Sequence, residues 1–328
     1  MPPLLNVFVS AAEYPSVFFE DRPKGQRMNP VTRREVLKWA AGALLNGATA
    51  ALAAAGDRLI ISGASGQLGG QAIRDLLERG VAAKNLILVS RTPEALAQYA
   101  RIGAATRFGD FSKPDSLPTA FAGGTRMLLI SIGGGAGPRP VAHGHAIEAA
   151  KSAGVKQIAY TSWLGISKGD TAGIAADHLA TEELLRRSGI AYTFLRNSLY
   201  MEILLPQAAR MVAVGTALVP NGETAMGYVS RGDCAAAAAA VLCTAGHDNK
   251  SYDITGPELI GVRQIAAAAS AATGKAISVV AAAPDAPAAR GFGGASLAVV
   301  STAVADLTGR KATTIAAFLA ANRDKLSA

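Results

Sequence analysis

Short apolar runs broken by glycine alternate along this chain with stretches whose apolar residues recur every three or four positions. The first run, over residues 59–62, reads Leu-Ile-Ile-Ser and meets Gly63, Gly66 and Gly69 at once. Ala72, Ile73, Leu76 and Leu77 then lay out one face of a helix over 67–79, closed by Gly80. The unit repeats. Strands are predicted over 85–90, 106–108, 127–132 and 156–161, with a sixth ending at Asn197. Between them the pattern predicts helices from Thr92-Pro93 to near Gly103 and over 114–121, 143–154 and 174–187. Nearly continuous apolar strands alternating with helices specify an α/β fold, a doubly wound parallel sheet covered on both faces. Further on, an alanine-rich helix over 234–242 with Asp233 as its N-cap, a strand over 251–255, a helix over 262–272, a strand over 276–282 and a closing helix over 313–326 are expected. The chain divides into an N-terminal extension over 1–55, a core over 56–200, and a region over 201–328 that completes the core and forms a small C-terminal α/β subdomain.

The first glycine turn carries the chemistry. Strand, Gly63-x-x-Gly66-x-x-Gly69 and helix together aim backbone N–H groups and a positive helix end at one point, the usual seat of a dinucleotide pyrophosphate. Gly63, Ala64, Ser65, Gly66, Gln67 and Leu68 are therefore cofactor candidates. The second strand ends on Arg91, where an acidic residue would hold a ribose 2′-hydroxyl and an arginine accommodates a 2′-phosphate. This favours NADPH over NADH. Asp110, after the third strand, suits either the adenine amino group or a turn. The glycine run 133–135 after the fourth strand permits close approach of a ligand, and the glycine-containing loop leading to Ala175 is a candidate lid over the substrate.

Composition narrows the classes. With 50% hydrophobic and 17% charged residues, a sizeable core is assured. The net charge of +8 is scattered, which argues for a solvated surface and against nucleic-acid binding. Cys234 and Cys243 share one predicted helix, too far apart to pair. His143 and His145, two apart on a helix, diverge, and no acidic or thiol cluster joins them, so no metal is expected, and direct hydride transfer from a nicotinamide would involve no flavin.

Upstream, Thr32-Arg33-Arg34-Glu35-Val36-Leu37-Lys38 precedes a charge-free run of small and apolar residues over 39–55 that ends in a small-x-small pattern, Ala51-Leu52-Ala53. This resembles a bacterial twin-arginine signal peptide, with Val36 where phenylalanine is usual. The resemblance implies the twin-arginine export machinery as partner and a periplasmic location, with a cytoplasmic one as the alternative, and translation starting at Met28 instead of Met1.

The glycine turn, Arg91, Ala159-Tyr160-Thr161-Ser162, Ala176-Asp177-His178 and Tyr192-Thr193-Phe194-Leu195-Arg196-Asn197 follow one another in an order that resembles the NmrA-like atypical short-chain dehydrogenases, in particular the type 2 NAD(P)H:quinone oxidoreductases. The resemblance runs from Leu59 to the C-terminus and departs between Val299 and Leu307, where the chain is shorter. It implies an NADPH-binding Rossmann-type core with a small domain beside it and a quinone-like substrate in the cleft between them; a homodimer is one candidate assembly. By position, Ser131, Ile132 and Ser162 would line the cofactor path, Asn197 its nicotinamide end, and Tyr200 and Glu202 the substrate side.

Ordinary short-chain dehydrogenases place Tyr-x-x-x-Lys on the helix after the fifth strand. The helix over 174–187 has neither residue, so alcohol chemistry of that kind is not expected. Quinone reduction tolerates the loss because its product is a stabilised phenolate-like anion, and positioning supplies much of the rate. His178 is the one candidate proton donor, read against a surface histidine paired with Glu182. A non-catalytic NADP(H)-binding sensor and a sugar epimerase or reductase are the alternatives.

Overall fold

Alternation of side chains along a strand sends neighbouring residues to opposite faces, and here both faces are covered. In the computed structural model, which describes residues 56–133, 138–170, 173–285 and 294–326, β1 (Leu59–Ile61) sends Leu59 and Ile61 into one apolar layer and Ile60 into the other. In β2 (Leu86–Ser90), Leu86 and Leu88 join the first layer and Ile87 and Val89 the second. Each such buried side chain contributes roughly 1.5–3 kcal/mol of transfer free energy.

The other strands are β3 (Ala105–Phe108), β4 (Arg126–Leu129), β5 (Gln157–Trp163), β6 (Ala191–Asn197), β7 (Thr216–Val219), β8 (Lys250–Ile254) and β9 (Ser278–Ala281). Seven form one sheet in the order β3-β2-β1-β4-β5-β6-β8, and each pair is parallel. After β3 the chain returns to place β4 on the other side of β1, so the strand order reverses between β1 and β4. Their carboxyl ends open the crevice in which such sheets bind ligands. The fold is the Rossmann-type α/β architecture expected.

The helices are α1 (Gln67–Glu78), α2 (Ala97–Ala100), α3 (Leu117–Phe121), α4 (Arg139–Ser152), α5 (Gly173–Ser188), α6 (Leu205–Val214), α7 (Arg231–Cys243), α8 (Val262–Thr273), α9 (Ala303–Thr308) and α10 (Ile315–Ala321). From Cys234 to Cys243, α7 is buried throughout, lying against α1 on one face of the sheet. A helix buried on every side leaves little room for side chains, and the alanine run suits that burial. Cys234 and Cys243 are both buried and unbridged. A second core gathers Trp163, Leu199, Met201, Met211, Ile265, Phe318 and their neighbours beside α6, α8 and α10, where β7 and β9 form a separate two-stranded parallel sheet.

Several boundaries differ from the sequence reading. The fifth strand runs on to Trp163, so Ser162 lies within it, and the fourth ends at Leu129. Asp233 is not the N-cap of α7. Ser230 caps it, accepting from the Asp233 N–H, while the Asp233 carboxylate takes the Ser230 hydroxyl and the Thr313 N–H and pairs with Arg310 at 2.9 Å. The closing helix is α10 followed by a 3-10 turn over Arg323–Leu326. Elements α6, β7 and α9 have no counterpart among the expected elements. The twin-arginine segment, the proposed start at Met28, part of the glycine run 133–135 and part of the loop leading to Ala175 lie outside the described residues. Among the described residues no helix is long and apolar enough to cross a membrane.

Candidate active site

Between β1 and α1 the chain turns on Gly63, whose φ of +59° suits glycine. Gly69 is held more tightly still: a Cβ there would lie 2.4 Å from the Gly63 carbonyl oxygen and 3.0 Å from Ala64 Cα. At Gly66 it would lie 3.1 Å from the same carbonyl oxygen. The first turn of α1 has no side-chain cap and no acidic residue, so its N–H groups and dipole suit an anion there. Leu68 and Ala64 are buried beneath the turn and fix it to the core. Ser65 reaches Ser90 Oγ at 2.7 Å, tying the turn to the end of β2. A dinucleotide pyrophosphate fits this cradle, since an uncapped helix end and a turn closed to side chains are what its approach needs.

Arg91 follows β2 directly and is exposed. Across from it, Asp110 accepts from the Ser112 N–H and hydroxyl at 2.9 and 2.7 Å. Burial pushes the Asp110 carboxyl up, but the Ser112 hydrogen bonds and the charges of Arg91 and Lys113 outweigh it and hold the group below its ordinary value. Asp110 and Arg91 thus stand together at the carboxyl ends of β3 and β2.

At the switch point the strand ends are stitched by hydroxyls. Ser62 donates to the Leu128 carbonyl at 3.0 Å and accepts from the Ile130 N–H at 2.9 Å. Thr161 accepts from the Ser131 N–H at 2.8 Å. Ile132 donates its N–H to His143 Nε2 at 3.1 Å, while its carbonyl accepts from Arg139, which also pairs with Asp177 at 2.7 Å. His143 is therefore a structural tie between α4 and the crevice floor. Its other nitrogen meets Thr181 at 3.0 Å, and burial lowers its pKa to about 3. His145 turns away to the Phe111 carbonyl. Among the described residues no three His, Cys, Asp or Glu side chains assemble as a metal set.

Beyond this floor opens a cleft of about 320 Å³, part of it open to solvent, lined by Ser131, Thr161, Ser162, Trp163, His178, Asn197, Ser198, Leu199 and Tyr200. It lies where β4, β5 and β6 end. His178 is neither on the helix surface nor paired with Glu182. It is 1% exposed, stacked on Trp163, with Nδ1 2.7 Å from the Tyr160 hydroxyl. Burial, then the charge of Arg139, drives its pKa well below the ordinary histidine value, so the ring is neutral near pH 7 and is not an acid in that range. Glu182 is fully buried and serves another network: it accepts from Ser162 at 2.7 Å, from Arg196 at 3.0 and 2.8 Å, and from Arg186 at 2.8 Å. Ser162 thus spends its proton on Glu182.

Asn197 donates to the Tyr200 hydroxyl at 3.4 Å. Burial raises the Tyr200 pKa, and the Arg231 guanidinium sits over its ring at 5.1 Å. Glu202 is not part of the cleft lining. It accepts the Arg231 N–H at 3.1 Å and faces the Arg231 guanidinium at 3.8 Å. Arg231 also donates to Gln67, so it joins the cradle to the cleft wall. Of the sequence candidates, Ser131, Ser162, Asn197, Tyr200 and His178 meet in one cleft, Gly63 to Leu68 form the cradle, and Arg91 and Asp110 mark its far end. Tyr160, Trp163, Ser198 and Arg231 join the site without having been marked as site residues by the sequence pattern. Only the position of Ser198, a hydroxyl one residue past a strand end, offers a signal.

An NAD(P)H-binding family model matches residues 63–245. Quinone oxidoreductase 2 of Escherichia coli is 37% identical over 222 residues, covering 67% of this chain and 76% of that protein. The NAD(P)H azoreductase of Xenophilus azovorans is 30% identical over 224 residues, 68% and 76% of the two chains. The crystal structure of the E. coli NADPH-dependent quinone oxidoreductase complexed with NADPH superimposes with a TM-score of 0.72 at 31% identity, covering 81% of this chain and 99% of that one. The chain is an NAD(P)H-binding oxidoreductase related to these enzymes, and it belongs to the NAD(P)H-binding, NmrA-like family.

Proposed function

We propose that this protein is an NADPH-dependent reductase of quinones and similar planar acceptors, working without a built-in acid. The observation that carries the reading is the continuity of cradle and cleft: the glycine turn and the polar-lined cleft open on the same carboxyl edge of one sheet. The turn over Gly63 to Leu68 would hold the pyrophosphate, Arg91 the 2′-phosphate, Asp110 the adenine side, and Ser131, Ile132 and Asn197 the nicotinamide end. When bound, the cofactor supplies a hydride. The chain's own part is to place a flat ring in the cleft between Trp163, Leu199 and Tyr200, and to keep water away from it. An acceptor whose reduced form is a stabilised anion needs no strong acid, which suits a site whose histidines are neutral and whose helix α5 lacks Tyr-x-x-x-Lys. Consumption of NADPH by the purified full-length chain with a series of benzoquinones tests this, with a lower KM for NADPH than for NADH expected. Absence of turnover with every quinone tried, alongside tight binding of NADPH, would instead favour a sensor.

Export by the twin-arginine route is a separate proposal, supported by the sequence over 32–53. Replacing Arg33 and Arg34 by lysine is expected to retain the protein in the cytoplasm, and an unchanged distribution on fractionation would remove the idea.

A further inference from the structure

Three side chains in the cleft are buried yet leave a polar atom without a partner among the described residues: Nε2 of His178, Oδ1 of Asn197 and Oγ of Ser198. The residues are 1%, 5% and 3% exposed. Buried polar atoms are nearly always paired, and these orphans are neighbours in one lining. An accepting ligand group would satisfy the two of them that can donate, His178 Nε2 and Ser198 Oγ, whereas Asn197 Oδ1 is itself an acceptor and would take a ligand donor. Their chemistry states what it must be. Tyr160 is fully buried and faces His178 Nδ1 at 2.7 Å. The Tyr160 hydroxyl also meets Thr181, whose own proton goes to the Asp177 carbonyl; of these two acceptors the bare ring nitrogen is the stronger, so the Tyr160 proton lies toward Nδ1 and the imidazole proton resides on Nε2. Ser198 adds a second proton donor.

We propose that His178 Nε2–H and the Ser198 hydroxyl form a preformed hydrogen-bonding site for a carbonyl oxygen of the acceptor, with Tyr160 as the positioning residue that fixes the imidazole tautomer. This rests on the quinone-reductase reading and names the group within the substrate that the cleft grips. The balance is simple. The acceptor gains two electrons and one proton as hydride from a dihydronicotinamide, its oxygen becomes an oxyanion, and the second proton comes from water. His178 and Ser198 keep their protons throughout. They stabilise the charge that develops on oxygen, as donors held in place before the reaction do.

The test begins with the wild-type full chain, selectively labelled at its four histidines. Nitrogen NMR at neutral pH is expected to show His178 protonated at Nε2, and tetramethyl-para-benzoquinone added without cofactor is expected to shift that proton. In steady-state assays His178→Leu is expected to lose about 100-fold in kcat and Ser198→Ala about 10-fold, the range found when a donor to a developing oxyanion is removed. Tyr160→Phe is expected to give a mixture of His178 tautomers and a similar ~10-fold loss in kcat with little change in KM. His178→Gln, which keeps an N–H donor, should recover part of the loss. NADPH affinity by calorimetry should stay within about twofold in all of them, since donors aimed at a developing oxyanion act on the acceptor and not on the cradle.

A His178 protonated at Nδ1, quinone binding that leaves its signals unmoved, or a His178→Leu enzyme within about twofold of wild type would overturn the inference. Should His178→Leu not fold, Ser198→Ala and the wild-type titration decide. A quinone-induced shift in an enzyme that turns over no quinone would sink the reductase reading and keep the site, and turnover with unmoved signals would do the reverse.

Discussion

The two halves of the crevice are built from different material. The cradle is backbone: a left-handed Gly63, a Gly69 with no room for a Cβ, and an uncapped helix end. The cleft is side chains, drawn from β5, β6, α5 and the segment after β6, with polar atoms held by partners far away in sequence. A backbone site binds what every member of a cofactor class shares, its phosphates. A side-chain site can be retuned one residue at a time without disturbing the sheet, so under the proposed function it is where acceptor choice would reside. Damage should therefore be all-or-none in the cradle and graded in the cleft.

The strongest test of that contrast is Gly69→Val. Its Cβ alone would stand 2.4 Å from a backbone oxygen, and neither atom belongs to a flexible side chain. The turn must open, and NADPH affinity is expected to fall by more than about 100-fold, the scale lost when a few charge-assisted hydrogen bonds to phosphate go together. Calorimetry measures it, with circular dichroism to show that the sheet persists. Near-normal affinity would mean that the cradle is not what holds the cofactor.

Next in size comes Glu182→Ala. It leaves Arg196 and Arg186 without the buried carboxylate they share and frees Ser162 beneath the cleft. Breaking such a pair costs about 3 kcal/mol, or roughly 4–5 °C in Tm for a chain of this size. Thermal unfolding followed by circular dichroism reads this directly. A change under about 2 °C would show that solvent already satisfies the two arginines.

The same contrast decides what the sequence could disclose. The cradle was legible because its elements are contiguous: strand, glycine spacing and helix pattern sit within twenty residues, and Arg91 lies one position past a strand end. The sheet was legible for a similar reason, since nearly continuous apolar strands declare two covered faces. His178 was found but its surroundings were not. Its pairing with Tyr160 and its stacking on Trp163 depend on how α5 lies across β5, which no spacing encodes. The i,i+4 rule suggested Glu182 as its partner, yet the carboxylate turns to Arg196 on β6. Asp233 misled for a subtler reason. Ser230 and Asp233 both suit helix starts, and only the position of Ser230 in extended backbone (ψ of 144°) separates cap from third residue. The alanine run of α7 hid how deeply that helix is buried, because alanine is as much a helix former as a core residue.

Arg91→Ala should touch the cradle's outer end alone. Losing one charge-assisted contact is expected to raise the Kd for NADPH about 10-fold while leaving that for NADH unchanged. Parallel titrations with the two cofactors measure it. Equal weakening of both would place Arg91 on the pyrophosphate or adenine and not on the 2′-phosphate, and would shift the line between the two halves of the crevice.

The smallest effect is in the pH dependence of stability, where the two halves carry opposite signs. His143 and His178, behind the cleft, are held neutral by burial and by the charge of Arg139, His143 down to a pKa of about 3. Unfolded, they take up protons near their ordinary value of 6.5. Their contribution is therefore complete above that value and is lost as pH falls below it, for His143 down to about 3. Asp75, on the cradle helix, is raised from 3.8 to about 6, by burial first and then by Glu78, with Arg310, Arg79 and Arg74 offsetting part of the rise. It binds its proton more tightly folded than unfolded, so its contribution is complete below 3.8 and is lost as pH rises through about 6. Between about pH 4 and 6 two groups oppose one, and stability should decline toward acid by at most ~1.4 kcal/mol per pH unit. Urea unfolding at a series of pH values measures the slope. Asp75→Asn, which removes the opposing group, should steepen it, and His143→Gln should flatten it. If neither variant changes the slope, the groups that set acid stability lie elsewhere in the sheet, and the division of the crevice into a backbone half and a side-chain half carries no consequence for folding.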